Sequence, residues 1–115
     1  MQRFASVLRL RQGAEAAYEE HHRHLWPEVD AVLRATGIRH YAIYRHDRWL
    51  FARFELPDGV AVATVGQLLR ESPACREWEA VMQTLQEPLP ESGGHSWWVP
   101  MREVFHWDPE EPARP

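Results

Sequence analysis

Residues 38–55 read IRHYAIYRHDRWLFARFE. Apolar and polar side chains alternate through both halves, the pattern of strands with one buried face. Over residues 38–45, Tyr41 and Ile43 take one face, and His40, Ala42 and Tyr44 take the other. Over residues 49–55, Leu50, Ala52 and Phe54 alternate against Trp49, Phe51 and Arg53. His46-Asp47-Arg48 leaves room only for a short connection, so the two strands are expected to form a hairpin.

Helical segments flank this hairpin on both sides. Upstream, Gly37 is a natural stop for a helix over residues 27–36, with Pro27 at its first position. Pro27 cannot continue a preceding helix, so residues 14–25 form a separate one, ended at Trp26-Pro27-Glu28. Gly13 turns the chain out of a first strand over residues 3–11, where Phe4, Ser6, Leu8 and Leu10 share a face. Downstream, Pro57-Asp58-Gly59 makes a turn into a helix over residues 60–70. Ser72-Pro73 caps a fourth helix that runs to about Gln86. After a Pro/Gly/Ser loop, residues 97–107 contain a last strand, clearest over 102–106. The acidic, Pro-rich residues 108–115 are expected to fray.

Strand, helices, strand, strand, helices, strand is the order of the ferredoxin-like split βαβ plan, an α+β class. It predicts a four-stranded antiparallel sheet with helices on one face, in a single domain over residues 1–107. The other face would be left bare. Exposed aromatic sheet faces of that size mark dimer interfaces or ligand sites, and two such sheets face to face make a dimeric α/β barrel. A homodimer through the sheet face is therefore expected.

Composition excludes several classes. The 115 residues are 44% hydrophobic and 26% charged, those of an ordinary globule rather than a disordered or coiled-coil chain. Seventeen acidic residues outnumber thirteen basic ones, for a net charge of −4, which argues against nucleic acid as partner. No apolar run approaches the ~20 residues of a membrane span. Cys75 is the sole cysteine, which suits a reducing compartment, and a cytoplasmic protein is expected. Six Trp and seven His are more than a small core needs.

Four constellations bear on chemistry. Tyr18 and His22 are four apart, hence on one helical face, where a phenol beside an imidazole offers a donor and an acid–base group. The same spacing also suits a half-buried Tyr beside a solvated His. His21, His22 and His24 cluster, but zinc needs three or four convergent ligands and no carboxylate stands at a recognised spacing, so no metal is expected. Cys75 reads as a packing residue more than as a nucleophile. Tyr41, Tyr44, Trp49, Trp78, Trp97 and Trp98 suit a core, or a pocket apolar on one side and wet on the other.

Read together, Tyr18-x-x-x-His22, Leu25-Trp26-Pro27-Glu28, His40-Tyr41-Ala42-Ile43-Tyr44, Cys75-Arg76-Glu77-Trp78 and Met101-Arg102-Glu103-Val104-Phe105-His106 resemble the L-rhamnose mutarotases, in order and over nearly the whole chain. The resemblance implies a dimeric ferredoxin-like protein that interconverts the anomers of a 6-deoxy sugar without cofactor or metal. It implies that His22 is the proton donor and that Tyr18, Tyr41 and Trp78 contact the sugar. Two places depart from the family's pattern. Trp78-Glu79 stands where the family usually has Trp-Trp, and the loop before the last strand reads Pro90-Glu91-Ser92-Gly93-Gly94-His95-Ser96-Trp97-Trp98.

Mutarotation needs one proton taken from the anomeric hydroxyl and one given to the ring oxygen. With His22 as donor, the base stays open between a water and Glu79. The competing classes are a non-catalytic dimeric sugar-binding or regulatory module and a cofactor-dependent barrel-dimer enzyme, since this fold hosts many functions.

Overall fold

The computed structural model describes residues 1–111. Its chain runs β1 (Gln2–Leu10), α1 (Glu15–Arg23), α2 (Pro27–Thr36), β2 (Arg39–His46), β3 (Trp49–Leu56), α3 (Val62–Glu71), α4 (Pro73–Leu85), β4 (Gln86–Glu87) and β5 (Val99–Met101). The β2–β3 hairpin turns at Asp47, which takes a φ of 52°. The strands are antiparallel in the order β2-β3-β1-β4, with β5 also on β1.

Local chemistry sets the helix ends. Trp26 before Pro27 is extended at ψ 134°, so α1 and α2 are separate helices, and α1 already ends at Arg23. Gly37 closes α2 at a φ of 86°, the left-handed conformation that glycine adopts without strain. The Ser72 side chain accepts from the Cys75 amide at 3.2 Å and starts α4 with Pro73 in its first turn. Helix α3 begins two residues later than the sequence pattern suggests. Val60 closes a turn onto the Pro57 carbonyl, and Gln2 donates to the carbonyls of both Pro57 and Val60.

Register assigns the faces. Leu8 opposes Leu50, and Ser6 opposes Ala52, on the face where Leu8, Leu10, Leu50 and Leu56 are fully buried. Tyr18 of α1 and Met82 of α4 pack on Leu10 and Leu50 to form the core. Each such buried Leu contributes roughly 1.5–3 kcal/mol. The opposite face carries Val7, Tyr44, Phe51, Val99 and Met101 in the open. Both alternations read from the hairpin hold.

The fourth strand position differs from the expected single strand. It is shared by two short segments, β4 beside Arg9 and Leu10 and β5 beside Ala5, Ser6 and Val7. Pro88 lacks an amide donor and ends β4, and the loop then returns the chain to the same edge. The strand expected over residues 102–106 is a correction: β5 lies at Val99–Met101, and residues 102–107 pair with no strand among the described residues. Met101 opposes Ala5, so continuation would bring Glu103 beside Arg3, and their side chains do meet at 2.7 Å. Val104, Phe105 and Trp107 then project with most of their surface exposed. Of the tail expected to fray, residues 108–111 form a turn in which Asp108 accepts from Glu110 and Glu111, and residues 112–115 lie outside the described ones.

Candidate active site

A cleft of about 1240 Å³ opens between the sheet and the helices, with walls from α1, β2, α4 and the loop of residues 93–98. One stripe of α4, comprising Cys75, Trp78, Glu79, Met82 and Gln86 with its continuation into β4, forms one side. These positions recur at three- and four-residue steps, the face a helix turns to its core. Tyr18 and His22 face them from α1, and Tyr41 and Ile43 from β2. All four residues singled out in the sequence, Tyr18, His22, Tyr41 and Trp78, therefore line one cleft.

The rings form a continuous wall. Tyr18 and His22 stand 4.3 Å apart between centroids, as their four-residue spacing predicts. Trp78 meets His22 edge-on at 5.4 Å and Trp26 at 5.2 Å. Trp26 thus does more than mark a helix break: it buttresses the indole that faces the cleft. The Tyr18 side chain is buried, yet its hydroxyl has no hydrogen-bond partner among the described residues and opens on the cleft. Burial, and then the charges of Tyr41 and Glu79, hold its phenol well above the ordinary value, so it is a neutral donor.

Tyr41 owes its position to a bulge. Arg39 opposes Glu55 and Ala42 opposes Arg53, so His40 and Tyr41 together oppose Phe54. His40 absorbs the extra residue at a φ of 51°. A non-glycine in that region costs roughly 1–3 kcal/mol. The bulge sets the Tyr41 ring 5.8 Å from Phe54, on the cleft side of the sheet. Burial, and then the Glu79 charge, push its phenol up to about 12.

His22 brings an imidazole into the cleft. Its Nδ1 lies 2.8 Å from the Tyr18 carbonyl oxygen, which has no proton to give, so Nδ1 is the donor. In the neutral ring this leaves Nε2 as the acceptor nitrogen. Burial lowers the imidazole below its ordinary 6.5, against the pull of the Tyr18 carbonyl, and His21 lowers it further. Glu79 moves the opposite way, raised above 4.5 by desolvation, with the Gln83 amide as a partial counterweight.

The remaining sequence candidates divide between the rim of this cleft, which Tyr44, Cys75 and Trp98 also line, and other surfaces. His24 pairs with Glu20 on the surface, and no group of three or more His, Cys, Asp or Glu converges among the described residues. Cys75 is buried under the cleft. Tyr44 and Trp49 belong to the open sheet face, where the Arg9 guanidinium sits 5.3 Å over the Trp49 ring. Trp98 packs on the core and lines the cleft. Gln86 was not singled out: it is buried in the cleft wall, and its Oε1 meets no donor among the described residues. Its place at the helix end, four residues beyond Met82, was the available signal.

The sequence profile of L-rhamnose mutarotase matches residues 3–107. The chain belongs to the L-rhamnose mutarotase family. An L-rhamnose mutarotase of Opitutus terrae is 34% identical over 94% of this chain and 100% of its own length. One from Klebsiella pneumoniae is 36% identical over 96% of this chain and 86% of its own. The crystal structure of an L-rhamnose mutarotase from Formosa agariphila superposes with a TM-score of 0.73 at 25% identity, covering 94% of this chain and all of that one. Tetracenomycin F2 cyclase from Streptomyces glaucescens shares the fold, with a TM-score of 0.64 at 18% identity.

Proposed function

We propose that this protein interconverts the α and β anomers of L-rhamnose or a related 6-deoxy sugar by acid–base ring opening and closure. The observation that carries this reading is the fixed imidazole: His22, pinned through Nδ1 to the Tyr18 carbonyl, beside the Tyr18 and Trp78 rings. Opening a hemiacetal needs only proton transfer, so neither cofactor nor metal has a step to perform. His22 Nε2 gives its proton to the ring oxygen as the C1–O5 bond breaks. Burial makes the imidazolium a stronger acid than in water, which helps this transfer. General acid–base help of this kind is worth about 10²–10⁴-fold. Tyr18 and Tyr41 orient hydroxyls, and the Trp78 face packs on the C–H side of the sugar.

The assembly belongs to the same proposal. The strand order, with a central hairpin and a helical crossover on each side, fits a ferredoxin-like plan for residues 1–107. The open apolar face fits a homodimer in which two sheets close a barrel. Residues 104–107 project past the sheet, where a partner's surface would cover them. Among the described residues no helix is long and apolar enough to cross a membrane. A cytoplasmic protein with a monosaccharide, and no nucleic acid, as its partner fits the lone cysteine and the acidic balance.

The test is anomer exchange by NMR saturation transfer over L-rhamnose, L-fucose and related sugars. Catalysed exchange of at least one of them is expected. Exchange no faster than buffer for every sugar, with binding retained, points to the non-catalytic sugar-binding module instead.

A further inference from the structure

Resting on that reading, we propose that Glu79 is the second proton-transfer residue of the cleft, taking the anomeric hydroxyl proton while His22 protonates the ring oxygen.

The placement of Glu79 breaks a local rule. Cys75, Trp78 and Met82 share its stripe on α4, which Gln86 continues into β4, and Glu79 is the one acidic α4 residue that lines the cleft. Such a position on a core-facing stripe ordinarily carries an apolar side chain. Local rules are broken at functional sites more than elsewhere. No cation neutralises this carboxylate: among the described residues its one polar partner is Gln83, whose Nε2 donates to Oε1 at 3.3 Å. The same Gln83 nitrogen donates to the His95 carbonyl at 2.9 Å, which ties the carboxylate's orientation to the loop roofing the cleft. Oε2 has no hydrogen-bond partner among the described residues, and Glu79 lines the same cleft as Tyr18, Tyr41 and His22. The charge of Glu79 acts on both phenols, which places it near them. Its proton affinity is raised while that of His22 is lowered, so the two groups are drawn together as an exchange of protons requires.

The step balances with one proton on the pair throughout. In opening, the Glu79 carboxylate takes the proton of the C1 hydroxyl, C1=O1 forms, C1–O5 breaks, and O5 takes the proton from His22 Nε2. The open-chain aldehyde then lies beside a neutral imidazole and a carboxylic acid. Rotation about C1–C2 presents the other face of the carbonyl. In closure O5 attacks C1, His22 recovers the O5 proton, and the Glu79 acid returns one to O1. Each group serves as acid in one direction and base in the other.

The experiment measures L-rhamnose anomer exchange for wild type, Glu79→Gln and Glu79→Ala. Glu79→Gln keeps the shape and the hydrogen bond capacity, and is expected to lower kcat about 100-fold or more with KM within about threefold. Glu79→Ala is expected to lose a similar factor and to recover part of it, saturably, when formate is added as an external carboxylate. A Glu79→Gln kcat within about threefold of wild type overturns the proposal, as does a loss confined to KM, the signature of a residue that only binds a hydroxyl. Failure of formate to restore Glu79→Ala assigns Glu79 to positioning and overturns the proton-transfer role. Wild-type exchange no faster than buffer overturns the mutarotase reading along with this one, whereas catalysed exchange with an unimpaired Glu79→Gln overturns this one alone.

Discussion

His22 Nδ1 and the carbonyl oxygen of Tyr18 lie 2.8 Å apart within one turn of α1, and this contact leaves Nε2 as the imidazole nitrogen not spent on the backbone. In the proposed reaction Nε2 is therefore the exchanging atom. Replacing His22 by Gln keeps a hydrogen-bonding side chain and removes the titratable one. Anomer exchange in His22→Gln is expected to fall about 10²–10⁴-fold with the circular dichroism spectrum unchanged. Exchange at the wild-type rate would remove His22 from the reaction.

The lowered His22 value gives a pH prediction for stability. The unfolded chain takes up the imidazole proton near the ordinary 6.5, while the folded chain takes it up only at lower pH. Between those two points the unfolded state binds more protons, so stability falls as pH drops from about 6.5 through the folded value. The His22 ring resonances should titrate below 6.5, and His22→Gln should flatten this segment of the stability curve. A ring that titrates at or above 6.5 would contradict the desolvation that burial implies.

Trp78 touches His22 and Trp26 edge-on, packs against the core and lines the cleft. Its truncation therefore removes apolar contact with a bound sugar while sparing the proton-transfer groups. Trp78→Ala is expected to raise KM by about 10-fold with kcat much less affected, since an aromatic contact is worth roughly 0.5–1.5 kcal/mol beyond its buried area. A loss confined to kcat would assign the indole to positioning His22.

Glu79 has an opposite signature in stability. Its folded proton affinity is raised by desolvation, so its favourable contribution is present below 4.5 and lost as pH rises through the folded value. At neutral pH the buried charge is a cost. Glu79→Gln should be more stable than wild type at pH 7, by about 0.5–2 kcal/mol as is common when one such site is relieved, with the gain vanishing below about pH 4.5. Denaturant melts at the two pH values measure it.

The parts of this fold that local chemistry determines were legible in the sequence. Trp26-Pro27 and Gly37 bound α2, Ser72-Pro73 starts α4, and strict alternation assigns both faces of the hairpin. The site was legible where spacing acts within one helix, as for Tyr18 and His22, and through the family resemblance for Tyr41 and Trp78. What depended on neighbours was not. The alternation of residues 102–106 is that of a strand, but only Val99–Met101 takes up the ladder on β1, and at Glu103 a side-chain contact with Arg3 stands in its place. The bulge at His40 follows from pairing with Phe54 across the hairpin, and no residue type announces it. Gln86 looks like an exposed helix end until the return of the chain onto β1 buries it.

The open sheet face yields the last prediction. Val99 opposes Val7, Val7 opposes Phe51, and Phe51 opposes Tyr44, so one apolar row crosses all four strand positions. Phe51 lies at the centre of this row with 38% of its surface exposed in the single chain. A charge placed there has little to disrupt within the monomer, because the helices pack on the other face. In a sheet-to-sheet dimer the same charge is buried without a partner, which costs several kcal/mol per ion. Phe51→Asp should therefore sediment as a folded monomer at concentrations where wild type sediments as a dimer. A wild-type monomer, or a Phe51→Asp protein that still dimerises, would place the subunit contact elsewhere or remove it.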